Sequence, residues 1–319
     1  MAKYIVHLGY PKTGTTYLQR KLFLQLKDEF KLITPEFENC GINIRRVKYK
    51  LQNGIVPKRL KQAILGNSLL ISLEGLLFDP MRNVSKGDFS PMSFVKALEA
   101  LYELGEEYNP NDVAVVLYLR RQDSLIHSLY AESKIFHFDR CEKLNTFEKY
   151  VESVLLEDSF STDPGYYYNF NHTLSEILER FSESQLHVRF FEDLERDIEK
   201  ETAFWSGLCD YNFEVVYGKE NARSVDASTK NTDAPNFVRY HLIGLKNNFF
   251  PGMKLPLTMS KMIKRKLVSA GSGEAQNITL NDITLHRIMS KYGKLNATAT
   301  MKRYLNEDLA DYYFGVNKK

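Results

Sequence analysis

Cysteine is scarce in this 319-residue chain: there are three, Cys40, Cys141 and Cys209, far apart and odd in number. None forms a CxxC pair, and no His/Cys cluster with zinc-ligand spacing accompanies them, which excludes a disulfide framework and a zinc module. Thiols used this way fit a reducing compartment, so a cytoplasmic location is expected. Long apolar runs are also missing. The opening Met1-Ala2-Lys3 leads into Tyr4-Ile5-Val6, too short for the apolar region of a signal peptide, and nowhere is a stretch long enough to span a bilayer. Charge of one sign is lacking too. A formal balance of +3 from 43 basic and 40 acidic residues gives no global field for nucleic acid, so any anion site must be a local cluster. Four Asn-x-Ser/Thr sequons, at Asn83, Asn171, Asn277 and Asn296, carry no weight without a secretory signal.

What the chain does contain is an alternation of short apolar runs and helical patterns. Tyr4–Leu8, Leu69–Leu73, Val113–Leu119 and Leu186–Phe191 read as strands, with Val113–Leu119 apolar throughout. Helical spacing follows at Thr15–Leu26, Ser93–Leu104, Ser124–Lys134, Leu174–Phe181 and Ile198–Leu208. Continuous apolar strands separated by helices predict an α/β fold: a parallel sheet with helices on both faces, of the P-loop NTPase-like kind. Beyond Tyr211 the pattern weakens. Residues 231–273 read as loops and short helices, and helical spacing returns at Leu280–Tyr292 and Ala299–Tyr312. No repeat is evident. The expectation is one domain over 1–319, with an α/β core at 1–210 and an irregular, mostly helical extension at 211–319. Ligands in such sheets sit beyond the carboxyl ends of the strands.

The first strand exit is Gly9-Tyr-Pro-Lys-Thr-Gly14-Thr-Thr16, between a buried strand and a helix. Inward backbone N–H groups and a helix N-terminus make such a loop a nest for oxyanions. A nucleotide kinase or NTPase places a lysine directly after the second glycine. Here Thr15 stands there, and Lys12 lies two residues before Gly14. The strand Val113–Leu119 ends in Arg120-Arg121, where a magnesium-binding aspartate would be expected of an NTPase. A sulfuryl group carries less charge than a transferred phosphoryl group, so a lysine and backbone donors suffice for it and no metal is expected.

Pro11-Lys12-Thr13-Gly14-Thr15-Thr16 resembles the 5′-phosphosulfate loop of sulfotransferases that use 3′-phosphoadenosine 5′-phosphosulfate (PAPS). The resemblance implies that Lys12 is the catalytic cation, and that Thr13, Gly14, Thr15 and Thr16 cradle the 5′-phosphate. Tyr17 matches a position where relatives stack an aromatic ring on the adenine; the alternative is a core tyrosine. A second motif follows at the next strand exit. The family places an arginine at a strand end and a serine eight residues on, and Arg120 and Ser128 have that spacing. A guanidinium fork and a helix-borne hydroxyl suit the 3′-phosphate; Arg121 is the alternative arginine. Phe190-Phe191-Glu192-Asp193-Leu194 is similar to the segment after the last core strand, with Phe191 where many relatives have tyrosine, which leaves packing in place of a hydrogen bond to adenine. The Arg-Lys-Gly loop of the eukaryotic cytosolic branch is absent. The matched motifs fall within residues 3–195, and the layout looks closest to bacterial and carbohydrate-type members.

Transfer to a hydroxyl requires a base. Glu74 follows the strand ending Ile71-Ser72-Leu73, and carbohydrate sulfotransferases use a glutamate at a strand end, so Glu74 is the candidate. The alternative role is a carboxylate paired with Lys12 or Arg120, and Ser72 is placed to position either group. His127 is a rival base beside Ser128, and His7 reads as a satisfied core histidine. The resemblance implies sulfuryl transfer from PAPS to a hydroxyl-bearing small molecule or glycan. A P-loop kinase with a displaced lysine and a catalytically silent nucleotide-binding protein are the alternatives. Candidate acceptor walls are Gly75–Pro91, Phe136–Tyr168 with its run Tyr166-Tyr167-Tyr168, and the C-terminal segment with the basic run Lys261–Lys266.

Overall fold

In the computed structural model, residues 2–35, 37–38, 43–76, 92–133, 146–156, 168–217, 280–305 and 312–314 are described. Cys40, Cys141, the tyrosines at 166 and 167, most of the Gly75–Pro91 loop and the basic run at 261–266 lie outside them.

Strand β1 (Tyr4–Gly9) is buried along its whole length. It pairs in parallel with β4 (Ser68–Ser72) on one side and β5 (Val113–Leu119) on the other. The sheet continues to β6 (Leu186–Phe190) beyond β5 and to β2 (Phe30–Thr34) beyond β4. A two-residue strand β3 (Phe37–Glu38) is antiparallel to β2 and closes that edge, giving the order β3-β2-β4-β1-β5-β6. Five strands are therefore parallel, as expected, and the antiparallel edge is an addition.

The two-residue period of the strands divides the interior into two cores. Tyr4, Val6 and Leu8 of β1, with Val113, Val115, Leu117 and Leu119 of β5, face one side. Ile5, Ala114, Val116 and Tyr118 face the other. On the first face pack α2 (Ile44–Leu51), α3 (Lys58–Ile64), α4 (Met92–Gly105), α5 (Gln122–Ser133), α6 (Phe147–Leu155) and α7 (Phe170–Leu178). On the second lie the helical segment 15–26, here α1, then α8 (Phe191–Arg196) and α9 (Ile198–Cys209), whose Trp205 is fully buried against Phe23. Each such large apolar side chain contributes roughly 1.5–3 kcal/mol on burial. Helices α10 (Asp282–Asn296) and α11 (Ala299–Tyr304) add Leu285, Ile288, Met289, Tyr292 and Met301 to the first core, so the described C-terminal residues pack on the sheet domain.

Several boundaries differ from the sequence expectation. Helix α7 begins at Phe170 rather than Leu174 because Asn169 caps it, its side chain accepting from His172 N–H at 3.2 Å. Helix α5 begins at Gln122, two residues early. The expected helix Thr15–Leu26 is regular only at Thr15–Tyr17; it widens into a π-turn at Leu18–Leu22 and tightens into 3-10 geometry at Phe23–Leu26.

The connections locate the site. From β1 the chain leaves toward β2, and from β5 it leaves toward β6 on the opposite side. Adjacent strands whose exits diverge open a crevice at their carboxyl ends.

Candidate active site

The loop after β1 occupies that crevice. Lys12 (φ 70°) and Gly14 (φ 80°) both adopt left-handed backbone with Thr13 between them, the alternation that turns successive N–H groups toward one point. A non-glycine residue held in that region costs of order 1–3 kcal/mol, and such strain persists where surrounding structure enforces it. Thr13 supplies part of that enforcement: fully buried, its hydroxyl donates to the Tyr10 carbonyl at 2.6 Å. Tyr10 is in turn tied to Thr173 of α7 at 2.7 Å. A Cβ on Gly14 would press on the Leu194 side chain of α8 and sit on left-handed backbone, so glycine is favoured there. The Thr13 side chain is thus spent on the loop, and what it can offer an anion is its backbone N–H. Thr16 is half-buried; Thr15 is buried, with an Oγ1 that has no hydrogen-bond partner among the described residues. Tyr17 belongs to the second core, 8% exposed, and its hydroxyl donates to the Val216 carbonyl at 2.6 Å, so its ring is a packing element first.

The neighbouring exit brings Arg120 to the same place. Its Nη1 donates to the Lys12 carbonyl at 2.9 Å, and its guanidinium lies 4.5 Å from the Phe191 ring centroid. Its buried Nε has no partner among the described residues. Arg121 is different in kind. It is 1% exposed, held by two bonds to Asp123 (Nε to Oδ1 2.9 Å, Nη2 to Oδ2 3.1 Å) and stacked 4.4 Å from the centre of Tyr312. Of the two arginines, Arg120 is the one turned toward the loop. Ser128, half-buried, stands on α5, the helix that begins at this exit.

Glu74 lies two residues past the end of β4, on the strand flanking β1 from the other side. It is half-buried in a turn completed by Gly75 at φ 69°, and Gln52, the residue that ends α2, anchors that turn by donating to the Gly75 and Leu76 carbonyls at 3.2 and 3.3 Å. Lys12, Arg120 and Glu74 therefore stand at three adjacent strand exits. His127 is half-buried, edge-on to Phe147 at 5.6 Å. His7 is fully buried, with Nδ1 2.7 Å from Ser72 Oγ and rings of Phe23, Tyr118 and Trp205 around it. Burial lowers its pKa to about 3, so the ring is neutral. The sequence expectation of a satisfied core histidine holds for Nδ1 and not for Nε2, which has no partner among the described residues.

Two features escaped sequence reasoning. Glu192 accepts from the Arg121 N–H at 3.0 Å and from the Tyr313 hydroxyl, so a C-terminal tyrosine is tied to the segments that follow β5 and β6. Burial is the main cause holding the Glu192 carboxyl above its usual range. No local pattern announces a contact over that separation. The other has a plain sequence signal: residues 43–73 hold seven Lys or Arg and no Asp or Glu. Among the described residues no group of three or more His, Cys, Asp and Glu could hold a metal ion, and no helix is long and apolar enough to cross a membrane.

No family model matches the sequence, and no curated protein does. Among solved structures, the chain is similar to a sulfotransferase from Alicyclobacillus acidocaldarius, with 15% identity and a TM-score of 0.41, over 82% of this chain and 99% of that one.

Proposed function

We propose that this protein is a PAPS-dependent sulfotransferase that moves a sulfuryl group to a hydroxyl of a carbohydrate or glycan. The observation that carries the proposal is the bond from Arg120 Nη1 to the Lys12 carbonyl, which unites the anion nest after β1 with a guanidinium from β5. A donor bearing anions at both its 5′ and 3′ positions fits two linked cationic exits better than a simple triphosphate does.

In this proposal the backbone N–H groups of residues 13–16 and the hydroxyls of Thr15 and Thr16 hold the 5′-phosphate, and Arg120 with Ser128 holds the 3′-phosphate. Tyr17 and Phe191 bound the adenine by packing. Glu74 takes the proton of the acceptor hydroxyl as its oxygen forms a bond to sulfur. The bond from sulfur to the 5′-phosphate oxygen breaks, and Lys12 neutralises the negative charge gathering on that oxygen. Adenosine 3′,5′-bisphosphate and the sulfated acceptor are the products. No metal is assigned a role.

Support for an acidic acceptor comes from the seven cations of residues 43–73. They lie on α2 and α3, and Gln52, the residue that ends α2, is bonded to the turn carrying Glu74. Three widely spaced cysteines favour a reducing cytoplasm, and buried Cys209, its thiol pushed up to about 12, is chemically inert. Transfer of labelled sulfate from PAPS to a panel of glycan, lipid and phenol acceptors tests the assignment. Label appearing on a glycan supports it, and no transfer to any class contradicts it.

A further inference from the structure

Beneath the loop lies a buried polar chain that the transfer chemistry leaves unused. Gln19, carried by the π-turn, sends its amide nitrogen to the Ser72 carbonyl at 2.8 Å and to Ser72 Oγ at 2.9 Å. A carbonyl oxygen only accepts, so the Gln19 atom facing it is the NH₂ group, and both its protons are engaged. Ser72 Oγ thus accepts from Gln19 and keeps its own proton to give. The partner in reach is His7 Nδ1, at 2.7 Å. Nδ1 is therefore the acceptor, and the ring proton resides on Nε2. The reverse assignment would leave the Ser72 proton without an acceptor among the described residues.

His7 Nε2 and Thr15 Oγ1 are both buried, and neither has a hydrogen-bond partner among the described residues. They border one small space. A Cβ added to Gly9 would collide with Thr15 Oγ1 and lie 3.2 and 3.4 Å from His7 Cε1 and Nε2. The bare glycine keeps that space open. A threonine hydroxyl has one proton, and if it were given inward, only lone pairs would face an anion in the loop. An Nε2–H on the inner side removes that option, because it has a proton to give and no lone pair to receive one.

We propose that His7 is a positioning residue of the loop: its proton, set on Nε2 by Ser72, faces the space it shares with Thr15 Oγ1, and on anion binding it donates to that oxygen and directs the threonine's own proton at the anion. This rests on the assignment of the loop as the 5′-phosphate site. Gln19 is part of the device, because its two bonds to Ser72 fix which way the serine donates.

Nitrogen-15 NMR of the full chain, labelled at the histidine rings and assigned through the backbone, reads the tautomer directly. The expected spectrum has the His7 proton on Nε2 in the free protein, and an Nε2 signal that moves on adding adenosine 3′,5′-bisphosphate. Ser72→Ala should erase the tautomer preference. A double-mutant cycle gives the functional side: His7→Phe and Thr15→Val should each weaken bisphosphate binding roughly 10-fold, and the double variant should be no weaker than either. Should His7→Phe fail to fold, the wild-type tautomer still decides. Protonation of Nδ1, or additive losses in the cycle, in a chain that binds bisphosphate overturns the role of His7 alone. A wild-type chain that binds no bisphosphate overturns the donor assignment and this inference together.

Discussion

Arg120, at the end of β5, donates from Nη1 to the main-chain oxygen of Lys12, in the loop after β1, at 2.9 Å. The bond couples the residue assigned to one phosphate with the backbone that shapes the site for the other. It also helps hold Lys12 in its left-handed conformation, which a lysine does not adopt unaided.

Removal of Arg120 should therefore damage both halves of the donor site. For Arg120→Ala we expect bisphosphate affinity to fall roughly 10- to 100-fold by calorimetry. Arg120→Lys should recover little of it, because an ammonium cannot span a phosphate and a carbonyl as a planar fork does. Wild-type affinity in Arg120→Ala would transfer the 3′-phosphate role elsewhere.

Lys12→Ala should separate binding from chemistry. Its charge is assigned to the leaving oxygen, so kcat should drop on the order of 10²–10³-fold, while bisphosphate affinity changes much less. Equal losses in both would make Lys12 a binding residue only.

For Glu74→Gln the two candidate roles diverge. As the base, Glu74 is worth roughly 10²–10⁴ in kcat, with donor affinity and melting temperature preserved and the acidic limb of the pH–rate profile lost. As a partner of Lys12 or Arg120, its replacement would lower affinity and stability together.

His7 predicts a pH dependence of stability. Its folded pKa of about 3 lies below the ordinary value of 6.5, so between those values the unfolded chain binds the extra proton. Stability should consequently fall as pH drops from 6.5 toward 3, with a contribution approaching about 1.4 kcal/mol per pH unit. Urea unfolding of wild type and His7→Gln at several pH values in that range checks this. The variant should lose that part of the slope, and an unchanged slope would contradict the neutral buried ring.

If the acceptor is acidic, the exposed Arg46 and partly exposed Lys50 of α2 should matter through charge alone. Charge reversal at both should raise KM for an acidic glycan and reduce its salt dependence, with kcat little changed. A KM that does not respond to salt would argue for a neutral acceptor.

Local signals are legible in the sequence and long-range ones are not. Strands β1, β4 and β5 were readable because burial on both faces demands unbroken apolar runs. Strand β2 is not: Lys31 interrupts its apolar run and Asp28-Glu29 precede it, and its burial comes from pairing with β4 and β3 and from Phe30, Leu32 and Ile33 entering the two cores. The placement of Lys12, Gly14 and Arg120 at strand exits is readable because these residues directly follow apolar runs. The Arg120–Lys12 bond, the burial of Arg121 under Tyr312 and the Gln19–Ser72–His7 chain join residues far apart in sequence. Residue types alone did not distinguish Arg120 from Arg121; packing did.

The most direct measurement is calorimetric titration of the wild-type chain with adenosine 3′,5′-bisphosphate, with adenosine 5′-monophosphate and ATP as comparisons. One site per chain is expected. The bisphosphate should bind more tightly than the monophosphate by at least the roughly 10-fold that a charge-assisted arginine contact contributes, and ATP should bind more weakly than the bisphosphate, with or without magnesium. Equal affinity for bisphosphate and monophosphate, or tighter magnesium-dependent binding of ATP, would contradict the assignment of Arg120 and Lys12 to a single PAPS site.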